Sequence, residues 1–205
     1  VATSRTLTNG TVGTQDHEDA HTVTVALSGV FFEKTAANVT TGVNPTTTAA
    51  PGDTLRYTLR FRTTDQAIPN FRIFDDLGAL NPLPAYVPGS LALVTVPPGA
   101  NTTNTSGTGD TNGTGVLDIR NLSLPVNSEL VVQFDITLAG NLTNGTIVTN
   151  QSTSRLPNGS VVALSDDPNV NGTADPLIAG DEDPTRVTIQ ASPAFRIQKI
   201  STDLT

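Results

Sequence analysis

Pro51-Gly-Asp-Thr-Leu-Arg-Tyr-Thr-Leu-Arg-Phe-Arg62 is the most regular stretch of the sequence. A Pro-Gly-Asp turn opens it, and apolar residues then alternate with Thr and Arg. Successive side chains of a strand point to opposite faces, so this period of two predicts a strand with one face in a core and the other in water. The core face would consist of Leu55, Tyr57, Leu59 and Phe61. We expect the rest of the chain to supply strands that pack around this one.

Shorter stretches with the same alternation lie on both sides, separated by Gly, Pro and Asn residues that favour turns. No stretch carries an apolar stripe with helical spacing. The sequence therefore predicts an all-β fold. The predicted strands are 22–36, the organising strand, 70–77, 90–96, 116–119, 129–138, 146–153, 160–164, 185–190 and 194–200, and residues 97–114 are predicted to form a long polar loop.

Length and composition limit the number of domains, the partners and the chemistry that this protein can have. The 205 residues provide for one sandwich with tails, and we divide them into an extended N-terminal arm (1–21), a β-sandwich domain (22–191) and a C-terminal strand (192–205). A net charge of −8 argues against nucleic acid and anionic membranes as partners, and it is compatible with cation binding. The lack of Cys excludes disulfides, thiolate catalysis and Cys-type zinc sites. No apolar run is long enough to insert into a membrane.

Asparagine falls in Asn-x-Ser/Thr sequons unusually often, at eleven of its sixteen positions. One interpretation is an N-glycosylated extracellular protein. The other is that Asn-Gly-Thr is good hairpin chemistry in a Thr-rich chain. The first interpretation places glycans on Asn101, Asn104, Asn112, Asn141 and Asn158, and the remaining sequons are at Asn9, Asn38, Asn121, Asn144, Asn150 and Asn171.

The C-terminal stretch Phe195-Arg-Ile-Gln-Lys-Ile200 repeats the pattern of Phe31-Phe-Glu-Lys-Thr35. Such a strand without a sheet of its own exposes N–H and C=O groups that the sheet edge of another subunit can pair with. We therefore predict an assembly strand that includes Phe195, Ile197, Lys199 and Ile200. The alternative is that these residues begin a further repeat of a longer array.

The order of several short motifs resembles a known family. They are Lys34-Thr35, the organising stretch, Ile73-Phe-Asp-Asp-Leu77, Pro88-Gly-Ser-Leu91, Leu130-Val-Val-Gln-Phe134 and Gly145-Thr-Ile-Val-Thr-Asn150. Together they resemble the surface repeat domain that occurs in tandem in large bacterial and archaeal exoproteins, and they are similar to the isopeptide-forming sandwich domains of fimbrial subunits. The resemblance covers roughly residues 25–190. It implies an Ig-like antiparallel β-sandwich, a cell-surface location and a structural or adhesive role.

The fimbrial domains join a strand Lys to a strand Asn with the help of a buried acid, and the resemblance places Lys34 and Asn150 at those two positions. Strand alternation puts Lys34, Asn150 and Asp75 on core faces. Burial favours a neutral, nucleophilic amine and a protonated acid, which is what the condensation needs. Asp135 is a rival acid, but alternation turns it outward. The alternative is that Lys34 extends to the surface and Asn150 only caps a strand.

A second predicted site lies in the acidic stretch 165–184. Asp166-Asp-Pro-Asn-Val-Asn-Gly172 has oxygen donors at alternate positions before a Gly, like the first half of a calcium loop, although it is not an EF-hand. So many carboxylates repel one another unless a cation or solvent intervenes. The alternative is a solvated acidic loop. The predicted Ca²⁺ ligands are Asp166, Asp167, Asn169, Asn171, Asp175, Asp181 and Asp183.

These observations predict an extracellular structural protein and not an enzyme. Both His residues lie in the polar arm, and no nucleophile–base pair stands out. We expect a subunit of a surface filament or pilus-like fibre whose partners are other copies of itself, joined by strand exchange, with other surface proteins as further candidates. The alternatives are a spacer repeat of a large adhesin or surface-layer protein and a calcium-dependent binding module.

Overall fold

A computed structural model of the chain describes residues 29–79, 84–178, 180–192 and 197–203. Within them the chain forms twelve strands and one short 3-10 helix, and no α-helix. The strands are β1 (Val30–Asn38), β2 (Thr48–Ala49), β3 (Thr54–Thr63), β4 (Ile68–Asp76), β5 (Ala85–Tyr86), β6 (Ala92–Thr95), β7 (Val116–Leu124), β8 (Glu129–Thr137), β9 (Ile147–Asn150), β10 (Thr153–Arg155), β11 (Val161–Leu164) and β12 (Thr185–Ile189), and the 3-10 helix is Leu77–Ala79.

The organising stretch forms β3 at the centre of the first sheet. It pairs antiparallel with β1 on one side and β8 on the other, and β5 and β6 share the far edge of β8. Its four predicted core residues are all fully buried, whereas the Thr and Arg residues between them face outward. Buried and outward-facing residues therefore alternate along β3 just as apolar and polar residues alternate in its sequence.

A second antiparallel sheet, in the order β11-β10-β4-β7, packs against the first. Aromatic side chains join the two layers, since the ring centroids of Phe61 on β3 and Phe71 on β4 lie 4.8 Å apart. Within the first sheet, Phe32 on β1 meets Phe61 edge-on at 5.3 Å. Side chains from both sheets form one continuous core. The all-β sandwich prediction is confirmed. No helix in the described ranges has the length and apolar character needed to cross a membrane.

A third, small sheet in the order β2-β12-β9 adds Val148, Val187 and Ile189 to the same core. β12 pairs antiparallel with β9 but parallel with β2. This parallel pair is an addition to the antiparallel sandwich that the sequence predicts. The stretch 37–53 has no long apolar run to reveal β2, which contributes Ala49 to the core.

The predicted strand 146–153 is wrong in its continuity, since it is two strands that belong to different sheets. β9 pairs with β12, and after Gln151 the chain crosses to the second sheet, where β10 pairs with β4. The Gln151 amide holds this crossing in place because its Nε2 donates to the carbonyls of Ser165 (3.1 Å) and Glu182 (2.9 Å). Alternation alone does not reveal a change of partner.

The predicted strand 116–119 is too short, because β7 continues to Leu124. The polar pair Arg120-Asn121 interrupts the alternation, and Asn121 takes a positive φ of 58° that lets the strand continue through a bulge. The long polar loop is also held more firmly than its sequence predicts. Two backbone bridges, Asn101 with Arg120 and Ser106 with Val116, attach it to β7.

Only part of the predicted terminal segments lies within the described residues. The N-terminal arm 1–21, the first part of the predicted strand 22–36, and Phe195 of the assembly strand lie outside the described residues. Residues 197–203 form no strand, and Ile197 and Ile200 are 93% and 77% exposed. A strand that pairs only with another copy is expected to lie unpaired in one chain, so the assembly strand stays a prediction.

Candidate functional site

Lys34 lies wholly inside the sandwich. It sits on β1 opposite Leu59 of β3, and its side chain has no exposed surface. Its Nζ lies 4.4 Å from the ring centroid of Tyr57 and 5.5 Å from that of Phe134. Burial lowers the pKa of Lys34 to about 8, although the neighbouring Asp75 opposes this shift. The predicted core position is confirmed, and the surface alternative is wrong.

Asp75 is the ion-pair partner of Lys34. It lies on β4 with Phe71 and Ile73 on the same core face, as alternation predicts, and its side chain is also fully buried. Its Oδ2 accepts hydrogen bonds from Lys34 Nζ and from the hydroxyl of Ser152 (2.6 Å). Its Oδ1 is buried without a partner. Lys34 Nζ also donates to the Ser152 hydroxyl at 3.1 Å, so the three side chains form a closed cluster.

Asn150 reaches the same region of the core from β9. It is 2% exposed and lies opposite Thr185 of β12, and the Thr185 hydroxyl donates to the backbone carbonyl of Lys34 at 2.9 Å. Thr185 thus connects the strand of Lys34 with the strand of Asn150. The Asn150 Nδ2 is buried without a hydrogen-bond partner. An unpaired buried amide lowers the stability of the fold, so stability does not explain why an Asn occupies this position.

Tyr57 forms the wall of the cluster. Burial raises the pKa of its hydroxyl, as does the charge of Asp75, while the nearby Asn150 carboxamide opposes the shift. The hydroxyl itself has no partner with hydrogen-bond geometry. Tyr57 and Phe134 cover the Lys34 amine, and the side chains of Asp75 and Asn150 are buried as well. Chemically, this arrangement can transfer a proton between Lys34 and Asp75 beside an unengaged amide.

Sequence reasoning missed Ser152 as a member of the cluster. The alternation that placed Asn150 inward also places Ser152 on the same side, so the signal was present. It could not show which partner the hydroxyl would choose. Tyr57 was correctly placed in the core, but the alternation says nothing about the direction of its hydroxyl.

The rival acid Asp135 lies on the outer face of β8, as predicted. Its carboxylate accepts two hydrogen bonds from the Arg56 guanidinium, at 2.8 and 3.0 Å. It is nevertheless only 8% exposed, because the segment around Ser90 covers it and the Ser90 hydroxyl accepts from the Asp135 backbone N–H at 2.9 Å. Asp135 is therefore separated from Lys34 by the sheet.

The predicted calcium ligands bind backbone and side-chain N–H groups. Asp166 Oδ1 accepts from the Asp183 N–H at 2.9 Å, Asp167 Oδ1 from the Asn169 N–H at 3.0 Å, and Asp181 Oδ2 from the Asp175 N–H at 2.7 Å. Asn171 donates from its Nδ2 to Asp181. Among the described residues no three acidic or His side chains converge as a metal site would require. Calcium binding stays a prediction.

The sequons divide by exposure. The Asn38 amide donates to Asp53 Oδ2 at 2.7 Å inside the fold, and Asn150 is buried, so neither amide is accessible to a glycosylating enzyme in the folded chain. Asn101 is half-buried, and Asn9 lies outside the described residues. The exposed sequons are Asn104, Asn112, Asn121, Asn141, Asn144, Asn158 and Asn171. The buried pair shows that part of the Asn-x-Ser/Thr excess has a structural origin.

Comparison with known proteins finds no matching family model and no matching curated protein. Solved structures do match. The putative membrane anchored protein from Corynebacterium diphtheriae is 13% identical, with a TM-score of 0.43 over 85% of this chain and 38% of that one. A collagen-binding domain from a Staphylococcus aureus adhesin is 12% identical, with a TM-score of 0.41 over 79% of this chain and 98% of that one.

A third match is domains D2 and D3 of the major pilin SpaD from Corynebacterium diphtheriae. It is 16% identical, with a TM-score of 0.41 over 66% of this chain and 50% of that one. The chain thus spans well under two thirds of the membrane-anchored protein and of the pilin. All three similarities are of fold, at low sequence identity.

Proposed function

We propose that this chain is a structural module of an extracellular surface fibre, strengthened by a covalent bond between Lys34 and Asn150. The observation that supports the proposal is the buried cluster of Lys34, Asp75 and Ser152, together with the buried, unpaired Asn150 amide, which like Lys34 lies near Tyr57. A buried ion pair adds little stability compared with apolar side chains of the same volume. A covalent product in the same place gives the three polar groups a reason to be in the core.

The reaction is a condensation that releases ammonia. The neutral amine of Lys34 attacks Cγ of Asn150, so that a bond forms between Nζ and Cγ and the bond between Cγ and Nδ2 breaks. Protonated Asp75 donates its proton to the departing Nδ2, which leaves as NH₃, and then takes up a proton from Nζ, so that Asp75 ends in the form in which it began. The lowered pKa of Lys34 favours the reactive amine. No external reagent is required.

The bond would suit a protein under tension outside the cell. It would join β1, near the start of the sandwich, to β9, near its end, so that the intervening strands could not be pulled apart without breaking an amide. The chain has no Cys and cannot use disulfides for this purpose. An amide is also insensitive to the redox state of the surroundings.

Intact mass spectrometry tests the bond. The chain produced without glycosylation is expected to weigh less than its sequence by one ammonia molecule, and the Asp75→Asn variant to have the full sequence mass. Asp135→Asn is the matched control, since that acid lies on the opposite face, and it should show the same loss as the native chain. A full sequence mass in the folded native chain would disprove the cross-link.

The proposed fibre would form by strand exchange through residues 192–205. The exposure of Ile197 and Ile200 supports this, because an apolar residue that finds no partner in its own chain is available to another copy. The spacer repeat is the alternative, and it requires no contact between copies. The two differ in whether the isolated chain polymerises.

A further inference from the structure

Three arginines lie side by side across the outer face of the second sheet. Arg155 on β10 is the register partner of Arg72 on β4, and Arg120 on β7 follows Ile119, which is the partner of Ile73. All three side chains point away from the core. We call this set the arginine row.

The arginine row is short of negative charge. Asp118 alone forms ion pairs with it among the described residues, at 2.6 Å from Arg120 and 3.7 Å from Arg72. Arg155 donates to the Thr153 hydroxyl at 3.1 Å and lies 5.7 Å from the Phe74 ring, with no carboxylate. Three cations and one anion leave an excess of two positive charges on a chain whose net charge is −8.

The first sheet shows the usual arrangement. There Arg56 faces its register partner Asp135 and pairs with it at 2.8 Å, and Arg60 pairs with Glu129. Opposite charges across neighbouring strands stabilise a sheet, whereas like charges directly opposite destabilise it. The Arg155–Arg72 pair therefore has a cost that the other sheet avoids, and an anionic ligand would remove it.

A groove of about 320 Å³ lies beside the arginine row. Arg72 and Arg120 line it together with Phe71 and Leu156. Asn70 and Asn121 also line it, and both have positive φ angles, 47° and 58°, where the register of β4 and β7 shifts. Bulges and left-handed non-Gly residues concentrate at binding sites, because they redirect side chains at a cost to stability.

We propose that the arginine row and its groove bind an acidic peptide segment of a partner protein. Guanidinium groups form two parallel hydrogen bonds with a carboxylate, so a row of them selects Asp and Glu side chains. The acidic remainder of the chain repels polyanions elsewhere on the surface. A sugar would need an open aromatic face, but the guanidinium groups of Arg72 and Arg155 lie over the Phe74 ring, at 5.0 and 5.7 Å from its centroid.

The test measures binding of a fluorescent hexaglutamate peptide by anisotropy. The native chain should bind it, and hexaglutamine should not bind. Arg155→Gln and Arg72→Gln should each weaken binding about tenfold, the value of one charge-assisted contact. Arg60→Gln on the other sheet is the matched control and should bind like the native chain.

The binding results distinguish an acidic-peptide site from a polysaccharide site and from no specific site. Equal loss in Arg60→Gln, or no binding of hexaglutamate, would overturn the proposal. Oligogalacturonate is the second probe. If it binds more tightly than hexaglutamate, and if Arg155→Gln abolishes that binding, the site is one for acidic polysaccharide and the peptide assignment is refuted. If circular dichroism shows that Arg72→Gln does not fold, Arg155→Gln alone tests the proposal. Arg155 forms no ion pair within the described structure, so its replacement removes no ion pair from the fold.

Discussion

A lysine without exposed surface, in a core of Leu, Phe and Tyr, is expensive to keep. Removing one member of a buried ion pair typically costs about 3–5 kcal/mol, yet an apolar pair of the same volume is often as stable as the ion pair. Stability alone therefore gives no reason for Lys34 and Asp75 to be polar. The unpaired Nδ2 of Asn150 adds to the cost. Chemistry between these groups explains all three residues at once.

Asp166 gives a prediction of pH dependence. Burial raises its pKa from 3.8 to about 6, helped by the charges of Asp181, Asp183 and Asp167 and opposed by the Asp183 N–H. Between these two values the folded chain holds the proton that the unfolded chain has lost. The free energy of unfolding should therefore fall as pH rises from 3.8 to about 6, and this contribution should stay constant above that range.

The measurement is denaturant unfolding across this pH range. Asp166→Asn cannot ionise, so its stability relative to the native chain should increase as pH rises through the window. Asp65→Asn is the control for the effect of an Asp→Asn substitution at an exposed position. A difference between native and Asp166→Asn that does not change with pH would mean that Asp166 titrates alike in the folded and unfolded chains.

Strand alternation was enough to predict which side chains of the site face the core. Lys34, Asp75 and Asn150 were all placed inward from neighbours two positions away, because a strand fixes the face of every side chain. The contacts were not predictable. Which oxygen of Asp75 meets Lys34, and that Ser152 lies between them, depends on how two sheets pack, and no local pattern contains that information.

At the scale of elements, the loop between β6 and β7 depends on Gly115. Its φ is +116°, and a Cβ there would lie 2.6 Å from Tyr86 Cβ and 3.0 Å from the Ser106 carbonyl. The residue adjoins the bridge between Ser106 and Val116. Gly115→Ala combines a strained backbone with a clash, so we expect it to lower the free energy of unfolding by about 3 kcal/mol or more.

Gly113 in the same loop is the matched control. Its φ is +70°, but a Cβ there would meet nothing within 4 Å. Gly113→Ala should therefore cost only the backbone strain, about 1 kcal/mol. Thermal unfolding of both variants checks the difference. Equal losses would mean that the close approach of Tyr86 and Ser106 does not constrain Gly115.

The elements that were mispredicted share a physical cause. β2 and the bridges of the long loop consist of backbone hydrogen bonds between distant segments, and the break near Gln151 is a change of backbone pairing partner from β12 to β4. Backbone pairing needs no particular side chain, so the sequence carries little trace of it. The strands that were correctly predicted bury a full apolar face, and burial does leave a pattern.

At the scale of the whole molecule, the two faces of the sandwich differ in their use of charge. The outer face of the first sheet pairs Arg56 and Arg60 with acids, and that of the second leaves an arginine row unbalanced beside a groove. The proposed cross-link lies between the layers and reaches neither face. A covalently fixed sandwich could thus present a binding surface without deforming under load.

The last prediction concerns assembly. The described sandwich ends with β12, and Ala191 still packs against the core, so deleting residues 193–205 should leave the fold intact. Electron microscopy should show fibres from the native chain and monomers from the truncated one, because the truncated chain lacks Ile197 and Ile200. An Ile197→Glu, Ile200→Glu variant of full length should also stay monomeric, since charge replaces the apolar contacts. Fibres from the truncated chain would place the joint elsewhere, and monomers from all three would favour the spacer repeat.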